Sequence, residues 1–250
     1  MTVSSPAKLL IDLGNSRLKW VLSGAAPWRA NAVLHRDRPL APLLQEALGS
    51  LSGVREIWVC SVASPEKREA LATWCAEHWS VPPRFINSAA DACGVRNGYG
   101  DPAKLGADRW AALVGARAIS PTPFAIVDCG TAITIDALSS DGEFVGGVIL
   151  PGLMLQRDAL AQGTAGLGAP VGAALSCQAR STAEGIGAGT LIGIAGAIER
   201  IVAEHREALG DAMQVLLTGG DVAVIGPHLR LAFAEVPDLV LHGLERIARC

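Results

Sequence analysis

Two short acidic turns carry the residue types that bind a polyphosphate: Asp12-Leu13-Gly14-Asn15-Ser16 and Asp128-Cys129-Gly130-Thr131-Ala132. In each, a carboxylate ends an apolar run, where it can hold a cation directly or through water. A glycine then lets the backbone approach closely, and backbone N–H groups with a hydroxyl or amide can wrap phosphate oxygens. One Asp-x-Gly is an ordinary turn; two at matching positions, 116 residues apart, are more specific. A third element, Thr218-Gly219-Gly220-Asp221, follows an apolar run, and its bare glycines can pass close to a flat base or ribose. Asp108 and Arg109 open a helical stretch, where an anion is favoured and is expected to stay ionised. Asp108 can accept a hydroxyl proton and Arg109 can clamp a substrate carboxylate through two parallel hydrogen bonds. Tyr99 stands in a loop of Asn, Gly, Asp and Pro that offers an aromatic ring little to pack against, which makes it a binding candidate. In-line positioning, charge neutralisation and a late proton acceptor are what phosphoryl transfer requires.

The elements that position these residues repeat. Lys8–Leu13 and Arg17–Leu22 read as a hairpin, with a third strand at Ala30–Leu34 and a helix after Pro39. A strand at Ile57–Val62, a helix from Pro65 through His78 and a strand at Arg84–Ile86 follow, giving β-β-β-α-β-α-β. The second half restarts with Phe124–Asp128, Ala132–Leu138 and Phe144–Leu150, and a helix can begin after Pro151. A longer helix over Ser181–Glu204, strands at Val215–Leu217 and Leu239–Leu241, and a C-terminal helix complete it. The helix Gly106–Ile119 bridges the halves. The expected fold is α/β: two duplicated ribonuclease-H-like domains, residues 1–118 and 119–250, with an ATP cleft between them.

Composition narrows the class. Half of the 250 residues are hydrophobic and 18% are charged, which excludes wholesale disorder. A net charge of −3 offers no basic footprint, so neither nucleic acid nor an anionic membrane is expected as a partner. The six cysteines form no CxxC pair and read as buried reduced thiols of a cytoplasmic protein, and the scattered histidines read as solvated. The N-terminal apolar run Leu9-Leu10-Ile11 ends at Asp12, too short for a signal peptide. The 21 uncharged residues between Asp158 and Arg180 hold four glycines and a proline, so they read as loop rather than a membrane span. Trp74 and Trp79 read as core or helix-face residues.

The two acidic turns and the Thr218-Gly219-Gly220 turn resemble the two phosphate motifs and the adenosine motif of the acetate-and-sugar-kinase, actin and heat-shock-chaperone ATPase superfamily. Within it, the chain resembles the type III pantothenate kinases. Asn97-Gly98-Tyr99-Gly100-Asp101-Pro102 runs into Leu105-Gly106-Ala107-Asp108-Arg109-Trp110, and Gly146-Gly147-Val148-Ile149-Leu150-Pro151-Gly152 and Ser181-Thr182-Ala183-Glu184 follow in order. The resemblance implies ATP-dependent phosphorylation of pantothenate to 4'-phosphopantothenate, the first step of coenzyme A synthesis, by a cytoplasmic homodimer.

It further implies that Asp12, Leu13, Gly14, Asn15, Ser16, Arg17, Leu18 and Lys19 line the ATP phosphates, with Thr131 bonding them from the other side and Gly219 and Gly220 at the adenosine. Asp128 would hold a monovalent cation, K+ or NH4+, and Asp12 would reach the Mg2+ of ATP through water. Tyr99, Gly106, Ala107, Asp108, Arg109 and Thr182 would bind pantothenate, with Asp108 as catalytic base. Four residues depart from the pattern: Ser16 stands for threonine, Ser181 for asparagine, and Arg17 and Lys19 add charge beside the first turn. A superfamily kinase for another small hydroxy acid or sugar, or a non-catalytic accessory protein, are the alternatives. The glycine-studded helix Gly185–Ile198 fits either close packing between subunits or packing inside the second domain.

Overall fold

The first strand, β1 (Ala7–Leu13), is apolar without alternation, and Leu9, Leu10, Ile11 and Leu13 are all fully buried. That is the pattern of a strand covered on both faces. It turns through Gly14-Asn15-Ser16 into β2 (Arg17–Ser23), and β3 (Asn31–Leu34) pairs antiparallel at the edge. α1 (Leu40–Leu48) leads to β4 (Val54–Ser61), which lies parallel to β1, and α2 (Pro65–Trp79) leads to β5 (Arg84–Phe85). The sheet order is β3-β2-β1-β4-β5. Leu43 and Leu44 of α1 and Leu71 and Trp74 of α2 close its core over Leu9, Ile11 and Leu13, with Trp79 partly buried against it. A two-residue ladder, β6 (Asp91–Ala92) with β7 (Val95–Arg96), has no counterpart among the sequence-based expectations; α3 (Ala107–Ile119) follows.

The second sheet repeats the first. β8 (Phe124–Cys129), β9 (Ala132–Leu138) and β10 (Phe144–Pro151) are antiparallel, and β11 (Gln214–Thr218) and a two-residue β12 (Ala234–Glu235) add in parallel. Their order, β10-β9-β8-β11-β12, matches the first sheet strand for strand. Between β10 and β11 run α4 (Leu153–Gly163) and the 28-residue α5 (Thr182–Leu209); α6 (Val222–Ile225) joins β11 to β12. α5 is long and apolar enough, by length and composition, to cross a membrane, and half of its most apolar window is buried. Its Ile194, Ile198 and Val202 face the second core. This computed structural model describes residues 7–24, 28–36, 38–168 and 176–250. The uncharged run read as loop is helical up to Gly163, and its stretch 169–175 lies outside the described residues.

Two compact units result: Met1–Ser120 with Asp238–Cys250, and Pro121–Pro237. The expected second half therefore loses its last helix. Leu239–Leu241, read as a strand, opens α7 (Leu239–Ile247), and α7 packs on α3 of the first unit. Two glycines permit the crossing. A Cβ on Gly115 would lie 2.7 Å from the Leu239 carbonyl, and one on Gly243 would overlap the Ala111 carbonyl. The true edge strand, β12, is two exposed residues with no apolar run to reveal it.

The cysteines need a second correction. Cys60, Cys75 and Cys129 are buried free thiols and Cys177 is an exposed one, but Cys93 and Cys250 are joined in a disulfide. Cys93 takes a left-handed conformation (φ 53°) between β6 and β7, and the Cα atoms lie 6.1 Å apart, within disulfide span. A separation of 157 residues hides this pairing from any reading of spacing. Cys250→Ser is expected to lower the unfolding free energy by about 2–4 kcal/mol, since the bridge restricts the unfolded chain. Urea titration should show the same fall when dithiothreitol is added to the wild type and no further fall in the variant. Coincident midpoints for all three samples would mean that the bridge does not form in solution.

Candidate active site

The first acidic hairpin is built by local pairing. Asp12 faces Lys19 and Leu13 faces Leu18 across the β1–β2 ladder, and the Gly14 N–H donates to the Arg17 carbonyl at 3.1 Å to close the tip. The Leu13 and Leu18 side chains are fully buried in the first core, so only their backbone can meet a nucleotide. Asn15 and Arg17 are exposed; Asp12, Ser16 and Lys19 are half-buried. The Lys19 ammonium donates to Asp238 Oδ1 at 3.0 Å, at the left-handed residue (φ 55°) that precedes α7. Behind the tip sits His35, fully buried, in contrast to the solvated histidine expected there. Its ring lies 3.0 Å from the Gly14 carbonyl and 3.0 Å from Lys67 Nζ. His242, by contrast, stays exposed, its ring stacked on Trp28 at 3.9 Å.

Tyr99, Asp108 and Arg109 also meet within the first unit. Asn97, nearly buried, donates from its side-chain amide to the carbonyls of Ala89 (3.1 Å) and Pro102 (3.2 Å) and accepts the Tyr99 N–H at 3.0 Å. Ser88 Oγ lies 2.7 Å from the carbonyls of both Pro102 and Leu105. These two side chains tie down the loop that presents Tyr99. The Tyr99 hydroxyl then accepts from an Arg109 guanidinium nitrogen at 2.8 Å, and the guanidinium lies 5.7 Å from the ring centroid. Arg109 is only 5% exposed, so tyrosine and arginine form one packed unit rather than a solvated clamp beside a surface ring.

Asp108 sits in the first turn of α3, with Oδ1 accepting the Arg109 backbone N–H at 2.8 Å. Burial raises its pKa above the ordinary carboxylate value, opposed by that N–H and by the Arg109 charge. The expectation that the helix start would dominate is therefore reversed: desolvation makes Asp108 a stronger base. Gly106 makes room for it, because a Cβ there would lie 2.6 Å from Asp108 Oδ1. Ala107 is the first residue of the helix, and the Trp110 N–H donates to the Gly106 carbonyl at 2.9 Å.

The second unit assembles the other set. The Gly130 N–H donates to the Ala132 carbonyl at 3.2 Å, closing a tip like that at Gly14. The Thr131 carbonyl accepts the Gly152 N–H at 2.9 Å, and a Cβ on Gly152 would overlap the Gly130 and Thr131 carbonyls. Gly219 (φ 102°) approaches the same tip: a Cβ there would lie 2.5 Å from Asp128 Oδ1, and the Asp221 N–H donates to the Cys129 carbonyl at 2.9 Å. Gly219 is thus required by the Asp128–Cys129 backbone and carboxylate before any adenosine is considered, while Gly220 is exposed. The buried Cys129 thiol is pushed up to about 12, first by burial and then by the nearby Asp128 and Asp221 charges, so it is not a nucleophile. Thr182 is the exposed first residue of α5, and Ser181 caps that helix by accepting the Glu184 N–H at 3.2 Å. Ser88 and His35 are the residues that sequence reasoning missed; neither lies in a motif.

Duplicated five-stranded sheets, each with an acidic turn at the end of its central strand, define the ATPase fold shared by actin and many small-molecule kinases. Solved structures agree. A Baf family protein from Campylobacter jejuni superposes with a TM-score of 0.58 at 19% identity, covering 96% of this chain and 97% of that one. An archaeal actin homologue superposes with a TM-score of 0.50 at 11% identity, covering 98% and 100%. Within this class the chain belongs to the type III pantothenate kinase family, whose sequence model matches residues 8–204. It is 41% identical to the type III pantothenate kinase of Halorhodospira halophila, over 97% of this chain and 98% of that protein. It is 37% identical to that of Nitrosococcus oceani, over 96% and 93%.

Proposed function

We propose that the protein transfers the γ-phosphoryl group of ATP to the primary hydroxyl of pantothenate, giving 4'-phosphopantothenate and ADP in the cytoplasm. The observation that carries this is the Tyr99–Arg109–Asp108 assembly: a packed hydrogen-bonding pair beside a carboxylate whose basicity burial has raised. Tyr99, Arg109, Gly106, Ala107 and Thr182 bind pantothenate. Asp108 takes the hydroxyl proton as the new O–P bond forms and the bond to the ADP oxygen breaks. The 12–19 hairpin and Thr131 hold the ATP phosphates, and Gly219 and Gly220 border the adenosine.

The hard oxygen of Asp128, set between Gly130 and Gly219, suits a monovalent cation, K+ or NH4+. Among the described residues no three His, Cys, Asp or Glu side chains cluster as a metal cage. Mg2+ would be carried mainly by ATP phosphates and water, with Asp12 reaching it through water. When bound, these ions neutralise phosphate charge; the protein's own part is to orient the hydroxyl and accept its proton.

A homodimer through the second unit is the assembly that its exposed apolar surface supports. Edge strand β10 exposes Val145 and Ile149, α4 exposes Met154, and α5 exposes Ile192. Gly185, Gly189, Gly193 and Gly196 of α5 have nothing within 4 Å of where a Cβ would stand. Among the described residues nothing packs on this glycine face, which supports its use between subunits.

Purified protein with ATP, Mg2+ and pantothenate should form phosphopantothenate in K+ or NH4+ and little in Na+. Asp128→Ala should remove the difference between cations. Absence of product in every cation would overturn the assignment.

A further inference from the structure

His35 holds the tip of the first hairpin from behind. The His35 backbone N–H donates to the Ser16 carbonyl at 2.9 Å, and His35 Nε2 lies 3.0 Å from the Gly14 carbonyl. The other ring nitrogen, Nδ1, lies 3.0 Å from Lys67 Nζ on α2. An ammonium has only protons to give, so Nδ1 must present its lone pair, and the single ring proton must sit on Nε2. Lys67 thereby selects the tautomer that bonds Gly14. Burial first, and then the Lys67 charge, push the ring pKa down, which keeps the ring neutral.

The consequence concerns an amide at the tip. In a trans peptide the C=O and the following N–H point to opposite sides. With the Gly14 carbonyl drawn onto the fully buried ring, the Asn15 N–H is turned the other way, to the side where Asn15 is exposed. Glycine at position 14 has more backbone freedom than any other residue, so this peptide needs an anchor to stay in one orientation.

We propose that His35, its tautomer set by Lys67, is a positioning residue for ATP: by holding the Gly14 carbonyl inward it aims the Asn15 N–H at the incoming phosphate oxygens. This rests on the reading of the 12–19 hairpin as a phosphate site. A preset amide spares nucleotide binding the cost of ordering the tip. The effect falls on ATP and not on pantothenate, whose residues Tyr99 and Asp108 are held by Asn97, Ser88 and α3.

The test compares wild type with His35→Ala, His35→Gln and Lys67→Met. ATP binding is measured by calorimetry, KM is measured for each substrate, and thermal melting is followed. Gln places an amide N–H where Nε2 stood. Loss of one buried hydrogen bond predicts about a tenfold rise in Kd and KM for ATP in His35→Ala, with KM for pantothenate within about twofold. His35→Gln should recover most of the loss, and Lys67→Met should show a smaller rise. Unchanged ATP affinity in a folded His35→Ala, equal rises in both KM values, or no recovery with Gln would each overturn the proposal. If His35→Ala fails to fold, Lys67→Met decides, and an unchanged Kd for ATP overturns it. A wild type that binds no ATP would instead refute the hairpin assignment, and the proposal with it.

Discussion

Asp108→Asn is expected to lower kcat by about 10²–10⁴-fold, the usual contribution of a positioned general base, with ATP affinity unchanged. The substitution keeps the volume and can still accept the Arg109 N–H, so the loop and helix should stay in place. What it removes is the proton acceptor. Burial raises the folded pKa of Asp108 above its unfolded value. The ionised group therefore opposes folding above the unfolded pKa, and stability is regained as pH falls through the folded one. Two readouts follow. The acid limb of kcat/KM in the wild type should lie above the ordinary carboxylate range and vanish in the variant. The variant should also melt at the same or a higher temperature near neutral pH, because an unfavourable buried charge is gone. An inactive variant that melts lower would point to a structural role for Asp108, and a fully active one would remove it from catalysis.

Gly219→Ala is expected to be severely damaging for a single added methyl group. Residue 219 has φ 102°, outside the range that L-residues adopt readily, and a Cβ would lie 2.5 Å from Asp128 Oδ1 and 2.6 Å from the Cys129 carbonyl carbon. The backbone atoms belong to β8, in the middle of the sheet, and cannot retreat cheaply. Strain and overlap together should cost about 3 kcal/mol or more. Displacing Asp128 should also weaken the response to K+ beyond what the lost stability explains. Urea unfolding, with turnover measured across a KCl series, would check both effects. A variant with wild-type midpoint and cation response would show that the turn can move away from Asp128.

How much of this was legible in the chain differs by residue. The hairpins at Asp12 and Asp128 are, because each tip closes on itself within a few residues and glycine is demanded locally. The matching sheet orders follow from the repeated strand pattern. Asp108 and Tyr99 are legible as a motif, but their state is not. Desolvation of Asp108 and the Tyr99–Arg109 bond depend on what packs around them. Gly219 reads as a glycine kept bare for a ligand, yet its nearest neighbours are the Cys129 carbonyl and the Asp128 carboxylate, some 90 residues earlier in the chain.

Sequence alone determined the duplicated α/β architecture, the two acidic turns and the family, since these depend on apolar periodicity, turn chemistry and short motifs. Only the tertiary structure decided that α7 belongs to the first unit, that Cys93 pairs with Cys250, that Gly185, Gly189, Gly193 and Gly196 of α5 face outward and that His35 lies behind Gly14. The physical reason is range. A turn or a cap is satisfied by its neighbours, whereas a buried carbonyl, an imidazole or a bare helix face takes its partner from wherever the closed chain brings one.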